Sequence, residues 1–461
     1  MVRLFKHYIP HAVLLLGVLE FLLLLLAAEL AWGFRTWQIG IGAGPLADRR
    51  IELFLFTGTV QLSLVAVGGY GIETLRSMRI ATARILVAMV VAVMLISVLA
   101  FLVPGDIFWR SVLLYAVALS VLLLMVFRAV AGPILGTARF VRRIVVLGAG
   151  GRARRLLELS ERPHAGVSVI SFIAMGGAGE NMPGAIARGD IVDLGKFVHK
   201  ARATEVVLAL EERRNALPLN DLVRVKTRGV KVTEFSTFLE RETGRVDLDT
   251  LNPSWLIFSD GFASGQGIAA AAKRVFDIVS SLSLLIVTAP IVLLAAIAIK
   301  LESRGPALFR QTRVGLFNQR FELVKLRSMC LDAERDGSQW ASENDPRITR
   351  VGRIIRKVRI DELPQLWMVL QGRMSFVGPR PEVPRFVEQL QAELPYYAER
   401  HMVKPGITGW AQINFPYGAS TEDARHKLEY DLYYAKNYSL FLDLIILLQT
   451  LRVIIWSGGA R

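Results

Sequence analysis

Cysteine is nearly absent from this chain, which has one, Cys330, among its 461 residues. A single cysteine excludes an intrachain disulfide and fits a reducing compartment, and Cys330 is expected to be a packing residue. The six histidines form no cluster with cysteine, so a zinc site is not expected. Internal repeats and low-complexity linkers are also lacking, which argues against a repeat architecture.

Acidic residues are in the minority, with 40 Asp and Glu against 55 Lys and Arg and a net charge of +15. This excess favours a partner rich in negative charge, whether nucleic acid, an anionic bilayer or a phosphorylated substrate. Hydrophobic residues make up 53% of the chain, and the mean hydropathy is +0.42. These values are too high for an all-soluble protein of this length, so membrane segments must account for the excess.

The first third of the chain contains four apolar runs long enough to cross a bilayer as helices, at residues 12–31, 51–70, 81–103 and 110–131. Lys and Arg concentrate before the first run, between the second and third, and after the fourth. This charge pattern predicts a four-helix transmembrane domain (1–135) with both ends in the cytoplasm. The acids within the first run are expected to face another helix or the membrane interface; they are Glu20 and Glu29.

A Rossmann-like α/β domain is predicted for residues 140–258. Residues 142–159 predict a strand, a glycine-rich turn and a helix, and further strands are expected at 167–175 and 204–210. The turn has the spacing G-x-G-x-x-A, which lets a backbone approach a pyrophosphate, at Gly148, Gly150 and Ala153. No acidic residue directly follows the second strand, where a ribose hydroxyl would need one, so a structural or regulatory module is favoured over NAD binding.

Another long apolar run covers residues 275–299, but positive charge flanks it on both sides. Both ends should therefore lie in the cytoplasm, which a straight span cannot satisfy. Pro290 lies near the middle, where it removes a backbone hydrogen bond and bends the helix, and the Thr288 hydroxyl can bind a carbonyl freed there. These features predict a re-entrant membrane helix at 268–304, in preference to a kinked full span.

Two adjacent carboxylates, Asp361 and Glu362, are surrounded in the sequence by basic residues. These are Arg347, Arg350, Arg353, Arg356, Lys357, Arg359, Arg373 and Arg380. An acid pair in a field of guanidinium groups indicates chemistry on a polyanion, because Arg binds phosphate oxygens through a planar fork. Asp361 also fits the N-cap of a helix with Pro364 in its first turn. The pair alone leaves an ordinary capped helix with a solvated basic face equally open.

Two short strands are predicted ahead of the acid pair, at 305–315 and 321–329, joined by a turn. Period-two alternation places Lys325 and Arg327 on one face of the second strand.

Behind the pair, residues 403–414 are rich in turn residues. The apolar segment 439–456 is interrupted by polar residues, so a helix in the membrane interface is expected there.

From residue 273 onward, distinctive motifs follow one another in a fixed order: KRVFD, GPALFRQTRVG, FELVKLRSM, DPRITRVGR, DELPQL, MSFVGPRPE, KPGITGWAQIN and YDLYYAKNYSLFLDLIIL. In this order and spacing they closely resemble the bacterial sugar transferases that load a hexose-1-phosphate onto a polyprenyl phosphate, the initiating enzymes of exopolysaccharide, capsule and O-antigen assembly. The resemblance covers the last two-fifths of the chain, and the segments in front are similar to long-form members. Residues 244–262 resemble the branch associated with exosortase-linked systems.

The resemblance implies a membrane protein with an α-helical bundle, a Rossmann-like cytoplasmic domain, a re-entrant helix hairpin and a monotopic catalytic domain at 305–461. It also implies a catalytic Asp-Glu pair, which maps onto Asp361 and Glu362. The helix break here is Ala289-Pro290, where the family often has Ser-Pro. This departure removes one hydroxyl that could stabilise the bend.

We expect Asp361 to attack the β-phosphorus of a UDP-sugar and undecaprenyl phosphate then to take the phosphosugar from it. Mg²⁺ is expected because it removes the repulsion between a diphosphate and a carboxylate, with oxygen ligands from Asp361 and Glu362. The candidates for phosphate binding are Lys325, Arg327 and Arg380. The candidates for the nucleotide pocket are Thr408 and Gln412.

The expected partners are a UDP-sugar, undecaprenyl phosphate and the lipid bilayer, with the catalytic domain facing the cytoplasm of a bacterial inner membrane. The four-helix unit and the α/β domain also offer surface for a homodimer. Nucleic acid is not expected, because the basic residues cluster beside apolar runs. Two other functions stay open: a non-enzymatic membrane scaffold of polysaccharide assembly and an NAD-dependent nucleotide-sugar modifying enzyme. The latter predicts a Tyr-x-x-x-Lys pair, yet residues 142–258 contain no tyrosine.

Overall fold

The computed structural model describes residues 2–4, 7–9, 11–42, 44–70, 74, 78–102, 110–135, 141–162, 166–176, 182–211, 217–251, 268–333, 345–415, 418 and 420–455. In sequence order these form a helical bundle, an α/β domain around a parallel sheet, and a mixed region that begins with a long helix. Most of the segment that resembles the exosortase-linked branch, from residue 252 to 262, lies outside the described residues.

The bundle consists of α1 (His11–Gln38), α2 (Arg50–Ala66), α3 (Met78–Leu102) and α4 (Arg110–Leu135). A small hairpin, β1 (Val2–Leu4) and β2 (His7–Ile9), precedes it. The inward faces of the four helices form one hydrophobic cluster that includes Leu24, Phe56, Ile85 and Leu124. Their outward faces carry large exposed apolar side chains, as expected for contact with lipid.

In the described chain, four helices are long and apolar enough to cross a membrane. They are Val13–Gln38, Met78–Ala100, Arg110–Ala131 and Ala270–Glu302. Helix α2 packs within the bundle but has only 17 residues, fewer than its neighbours and fewer than predicted for the second span. The predicted class, a membrane protein with a helical bundle and α/β parts, is confirmed.

Both acids of α1 are paired with cations of other segments. Glu20 accepts a hydrogen bond from Arg128 Nε at 2.6 Å and another from the Tyr70 hydroxyl at 2.7 Å. Glu29 accepts from Arg49 Nε at 2.9 Å. The prediction that these acids face another helix or the membrane interface is confirmed for Glu20, which faces α4, whereas Glu29 faces the 3₁₀ turn just before α2. Since an unpaired charge among apolar helices is costly, each pair fixes the rotation of α1 against its neighbours.

The α/β domain contains five parallel strands in the order β5-β4-β3-β6-β7. The strands are β3 (Arg142–Leu147), β4 (Val167–Ala174), β5 (Ile186–Ala187), β6 (Glu205–Leu208) and β7 (Lys231–Glu234). The helices are α5 (Gly151–Glu161), α6 (Leu194–Lys200), α7 (Leu219–Thr227) and α8 (Phe235–Thr243). This order confirms the predicted Rossmann-like fold.

Helices cover both faces of this sheet because β3 alternates its buried side chains. Ile144 and Val146 pack with α5 and α8, whereas Val145 and Leu147 pack with α6 and α7.

The mixed region begins with α9 (Ile268–Glu302) and a hairpin, β8 (Leu308–Val314) and β9 (Arg320–Leu326). It continues with α10 (Arg350–Lys357), α11 (Gln365–Leu370), β10 (Ser375–Val377), α12 (Pro384–Glu393) and β11 (Gly406–Thr408). Helices α13 (Trp410–Asn414), α14 (Thr421–Asn437) and α15 (Leu440–Ile455) complete it. The predicted hairpin is confirmed, and β10 pairs with β11 in parallel.

Both ends of helix α9 contact the part of the mixed region that follows the helix. Near its start, Arg274 donates to the Val369 carbonyl at 2.6 Å, and at its end Glu302 accepts from the Arg350 amide at 2.8 Å. Most side chains between these ends are exposed. The helix runs for 35 residues with Pro290 inside it. Contact of both ends with one region agrees with a re-entrant helix, and the return to the same membrane side stays a prediction.

A buried polar cluster fastens the start of α9 to the end of the chain. Lys273 Nζ lies 2.5 Å from the Asp443 carboxylate, and the Tyr434 hydroxyl donates to Asp443 at 2.7 Å. Helix α15 also packs against α2 of the bundle. The location of α15 in the membrane interface therefore stays a prediction, but the helix has protein on more than one side.

Cys330 is exposed. The prediction that it packs in the interior is wrong, because it follows the end of β9 on a surface turn and not within a strand or helix.

Candidate active site

The acid pair lies in one 3₁₀ turn, Ile360–Glu362, between α10 and α11. Arg359, just before it, adopts the left-handed conformation with φ of 58°. The prediction that Asp361 is an N-cap is wrong, because α11 begins at Gln365 with Pro364 in the cap position and no side-chain cap hydrogen bond. Residue 361 lies inside a tight turn, so no helix N–H occupies its carboxylate.

Asp361 is buried, with 7% of its surface exposed, yet its Oδ1 has no hydrogen-bond partner among the described residues. Burial, reinforced by the adjacent Glu362 charge, raises the pKa of Asp361 to about 6. Nearby cations, Lys325 first among them, oppose this rise. At neutral pH the group is therefore mostly ionised, and one of its oxygens is free to react or to bind a ligand.

Glu362 is held by two guanidinium groups. Its Oε1 accepts from Arg380 at 2.9 Å and from Arg359 at 3.3 Å. Burial raises the pKa of Glu362, but the charges of Arg380 and Arg359 outweigh burial, so the net pKa is lowered. Glu362 thus stays ionised and orients the two arginines beside Asp361.

Lys325, predicted to contact phosphate, lies on β9 close enough to Asp361 for their charges to interact. Burial first, and then the charges of Arg313 and Arg380, lower its pKa to about 8, and the charge of Asp361 opposes them. Its Nζ lies 5.2 Å from the centre of the Phe309 ring. Lys325 is partly buried, so its charge is screened less than that of a fully exposed lysine and can attract an anion beside the buried Asp361.

Arg313 was not singled out from the sequence, although its position carries a signal. In the β8–β9 hairpin, Arg313 pairs with Phe321 and Phe309 pairs with Lys325, so alternation places Arg313 and Lys325 on the same face. Arg313 donates to the Pro381 carbonyl at 2.9 Å. The hairpin register, once predicted, would have identified this second cation.

Arg327 uses its guanidinium elsewhere. It donates to the Arg304 carbonyl at 2.8 Å and to the Ser303 carbonyl at 3.0 Å, and so fixes the backbone just after the end of α9. Within the described residues, the side-chain hydrogen bonds of Arg327 go to Ser303 and Arg304 and not to the acid pair. The structure thus supports a structural role, and phosphate binding by Arg327 stays a prediction.

The turn that carries Arg380 packs backbone to backbone on residues 406–409. The Gly378 amide donates to the Thr408 carbonyl at 2.9 Å. A Cβ on Gly406 would lie 2.0 Å from the Gly378 nitrogen, and a Cβ on Gly409 would lie 2.2 Å from the Gly378 carbonyl oxygen. Only glycine fits at these contacts, so the position of Arg380 depends on this second stretch.

Thr408 and Gln412, predicted for the nucleotide pocket, lie in that second stretch. The Thr408 hydroxyl is 2.8 Å from the Thr450 hydroxyl of α15, so it is already partnered. Gln412 donates to the Ile407 carbonyl at 3.2 Å, while its Oε1 is buried and has no partner within the described residues. Nucleotide contact by either side chain stays a prediction.

The described residues contain no group of three or more His, Cys, Asp and Glu side chains that could hold a metal ion. The acid pair supplies two carboxylates, one with an unpartnered buried oxygen. Mg²⁺ binds hard oxygen ligands and commonly uses one or two carboxylates together with substrate phosphates. The donor set of Asp361 and Glu362 therefore fits this ion when a diphosphate completes its coordination.

In the α/β domain, the space beside the glycine-rich turn is occupied by residues of the same chain. A Cβ on Gly148 would lie 2.5 Å from the Ala209 carbonyl oxygen, which explains the glycine by close packing. The Arg152 amide at the start of α5 donates to the Glu211 carboxylate at 2.9 Å. A carboxylate thus lies where a helix N-terminus would receive a phosphate, which supports a structural module over an NAD site.

Residues 268–457 match the family described as bacterial sugar transferase, and residues 65–223 match a CoA-binding domain. The UDP-N-acetylgalactosamine-undecaprenyl-phosphate N-acetylgalactosaminephosphotransferase of Aeromonas hydrophila is 45% identical over 240 residues, which are 52% of this chain and 56% of that protein. The chain thus spans little more than half of that relative.

Two further alignments cover a larger share of the relative's own length. The UDP-glucose:undecaprenyl-phosphate glucose-1-phosphate transferase of Caulobacter vibrioides is 46% identical over 41% of this chain and 71% of its own. The protein of the same name from Xanthomonas campestris pv. campestris is 30% identical over 68% of this chain and 67% of its own. The chain belongs to the bacterial sugar transferase family.

Proposed function

We propose that this protein transfers a hexose-1-phosphate from a UDP-sugar to undecaprenyl phosphate and releases UMP, through a covalent phosphosugar on Asp361. The relatives are named for transfers of this kind. The observation that carries the proposal is the unpartnered, buried oxygen of Asp361, held near Lys325 and next to the Arg380–Glu362 pair.

In the first step, a carboxylate oxygen of Asp361 attacks the β-phosphorus of the UDP-sugar. The bond from that phosphorus to the oxygen bridging the two phosphates breaks, and UMP leaves with the electron pair. The sugar phosphate is then joined to Asp361 as a mixed anhydride. Lys325 and Arg380 stabilise the added negative charge on the phosphoryl oxygens.

In the second step, an oxygen of undecaprenyl phosphate attacks the same phosphorus. The bond to Asp361 breaks, the carboxylate is restored, and the lipid carries a diphosphate-linked sugar. Two displacements at one aspartate let a water-soluble donor and a lipid acceptor use the same site in turn.

A divalent cation fits this site through Asp361 and Glu362. When bound, Mg²⁺ would neutralise the diphosphate and so lower the repulsion from the attacking carboxylate. The chain's own contribution is to hold Glu362 ionised between Arg359 and Arg380 and to keep Asp361 ionised near Lys325.

We further propose that α9 enters and leaves the membrane on the cytoplasmic side of a bacterial inner membrane. The contacts of both its ends with the domain that contains Asp361 support this arrangement. The site would then lie at the bilayer surface, where undecaprenyl phosphate presents its head group. A homodimer stays a prediction.

The test is UMP release by the purified protein in detergent with undecaprenyl phosphate and a panel of UDP-hexoses and UDP-N-acetylhexosamines. Asp361→Asn should lose at least about 10³-fold in turnover, because an amide is a poor nucleophile. Radiolabelled phosphosugar should be trapped on the wild type and not on this variant. The matched control is Glu388→Gln, an exposed acid whose ion pair within the described residues is with exposed Arg320.

Turnover retained by a folded Asp361→Asn variant would show that Asp361 is not the nucleophile. No UMP release with any donor, by wild-type protein that is folded, would favour the scaffold alternative instead.

A further inference from the structure

The α/β domain reaches into the mixed region through the end of α8 and the segment that follows it. Val246 and Leu248 are buried in the same hydrophobic cluster as Trp410, Leu432 and Tyr433 of the mixed region. These two side chains complete a core that the mixed region does not fill by itself.

Buried polar contacts reinforce this junction. Glu240 of α8 accepts from Lys436 Nζ at 2.6 Å and from the Asn437 side-chain amide at 3.0 Å, and all three residues are at least nine-tenths buried. The Val246 amide donates to the Glu429 carbonyl at 3.0 Å. Since a buried charge must keep its partner, the two parts cannot separate at this point without a large free-energy cost.

One contact of the junction bears on the candidate active site. Trp410 Nε1 donates to the Gly244 carbonyl at 2.7 Å, and the indole ring stacks on Tyr433 with 5.7 Å between ring centres. Gly244 has φ of 64°, and a Cβ there would lie 3.3 Å from the indole ring. The α/β domain thus fixes the position of Trp410 through its backbone.

Trp410 directly follows Gly409, which packs on Gly378. Two residues beyond Gly378, Arg380 forms its 2.9 Å hydrogen bond with Glu362, the neighbour of Asp361. An unbroken series of contacts therefore runs from the α/β domain to the acid pair. Its central link is backbone against backbone, where a shift on one side must move the other.

We propose that Trp410 is a positioning residue through which the α/β domain holds Arg380 and the acid pair in register for the UDP-sugar. This inference rests on the proposed function, and it assigns the α/β domain a role in donor binding that requires no ligand of its own.

The test compares full-length variants for the KM and kcat of UMP release and for the pH dependence of kcat/KM. Trp410→Phe keeps the ring stacking and removes the Nε1–H donor. We expect it to raise the KM for the UDP-sugar about 3- to 10-fold, with a smaller change in kcat, because Arg380 is less well placed for the diphosphate. The acid limb of the profile should move to higher pH, since Arg380 then stabilises the carboxylates less.

Glu240→Gln is the second variant, which acts on the same junction from the α/β side. Two control variants test whether the effect is specific to the buried contacts of the junction. Asp249→Asn removes an exposed ion pair with Arg425 at the same junction, and Trp37→Phe repeats the substitution at an exposed site in the bundle. Both controls should keep the wild-type KM and pH profile.

Hydrogen exchange of residues 375–380 supplies a readout without turnover. It should accelerate in Trp410→Phe and Glu240→Gln and stay unchanged in the controls. Wild-type KM, pH profile and exchange in both junction variants would overturn the inference. A failure of the proposed function would appear differently, as turnover that survives Asp361→Asn.

Discussion

Asp361 and Glu362 are neighbours in the sequence, but their surroundings move their pKa values in opposite directions. Asp361 is buried with an unpartnered oxygen, and its pKa rises to about 6. Glu362 is bound by two guanidinium groups, and its pKa falls. Two identical functional groups thus acquire different roles, one free to react and one that orients cations.

The pH profile is the first prediction at this scale. Because Asp361 must be ionised, kcat/KM for the UDP-sugar should fall as the pH drops through about 6. Because Lys325 must be charged, kcat/KM should also fall above pH of about 8. Initial rates of UMP release between pH 5 and pH 9 measure both limbs; an acid limb near pH 4 would contradict the burial of Asp361.

The second prediction concerns stability. Asp361 has a folded-state pKa above its ordinary value, so its ionisation opposes folding at neutral and higher pH. Asp361→Asn should therefore be more stable than the wild type at pH 8, by at most about 3 kcal/mol from a shift of about two pKa units. The gain should vanish below pH of about 3, where the aspartate is protonated in both the folded and the unfolded state. Thermal midpoints at the two pH values check this, and an equal gain at both would contradict it.

Arg380→Ala is the third prediction. Loss of the nearest cation should raise the pKa of Glu362 and weaken phosphate binding, so kcat/KM should fall about 10- to 100-fold. The acid limb should move upward in pH. Arg385→Ala, an exposed arginine on α12, is the matched control and should behave as the wild type.

At the scale of elements, the hairpin β8–β9 and the strands β3, β4 and β6 of the α/β domain form where the sequence predicts them, whereas β5 and β7 were not predicted. The cap assigned to Asp361 failed because the chain makes a tight turn at Arg359 with φ of 58°. A left-handed arginine has no reliable local signal, since the strain is tolerated only when the surrounding structure requires it.

Helix α9 gives the fourth prediction, which concerns membrane topology. If the helix is re-entrant, cysteines placed at its two ends should react with an impermeant maleimide from the same membrane face as native Cys330. The variants are Ala271→Cys and Arg304→Cys in a Cys330→Ser background, assayed in inside-out and right-side-out vesicles. Gly42→Cys, between α1 and α2, should react only from the other face. Opposite faces for the two ends of α9 would establish a full span.

At the scale of the whole molecule, buried ion pairs connect segments that are far apart in sequence. Arg128 pairs with Glu20 across the bundle, and Lys436 pairs with Glu240 across the junction of the α/β domain and the mixed region. Helix α15 contacts both the bundle and the stretch that contains Thr408. The protein is therefore a connected assembly in which the acid pair is supported from several directions.

The bundle supplies the fifth prediction. Glu20→Gln leaves Arg128 buried without a counter-charge and should cost about 3 to 5 kcal/mol of bundle stability. Replacing both residues by leucine should reverse at least half of the decrease in thermal midpoint that Glu20→Gln causes in detergent. Ser97→Ala, at an exposed site on α3, serves as the control. A double variant as unstable as the single one would show that the charge pair is not the cause.

Local composition and periodicity were enough to predict the order of the parts, the apolar runs, the α/β domain and the acid pair. Which cations lie beside the acids depends on the folded arrangement. Lys325 and Arg327 are two residues apart at the end of one strand. Lys325 lies near Asp361, whereas Arg327 binds the backbone just after α9. The difference arises because burial, backbone contact and charge balance depend on segments distant in sequence, which local spacing does not encode.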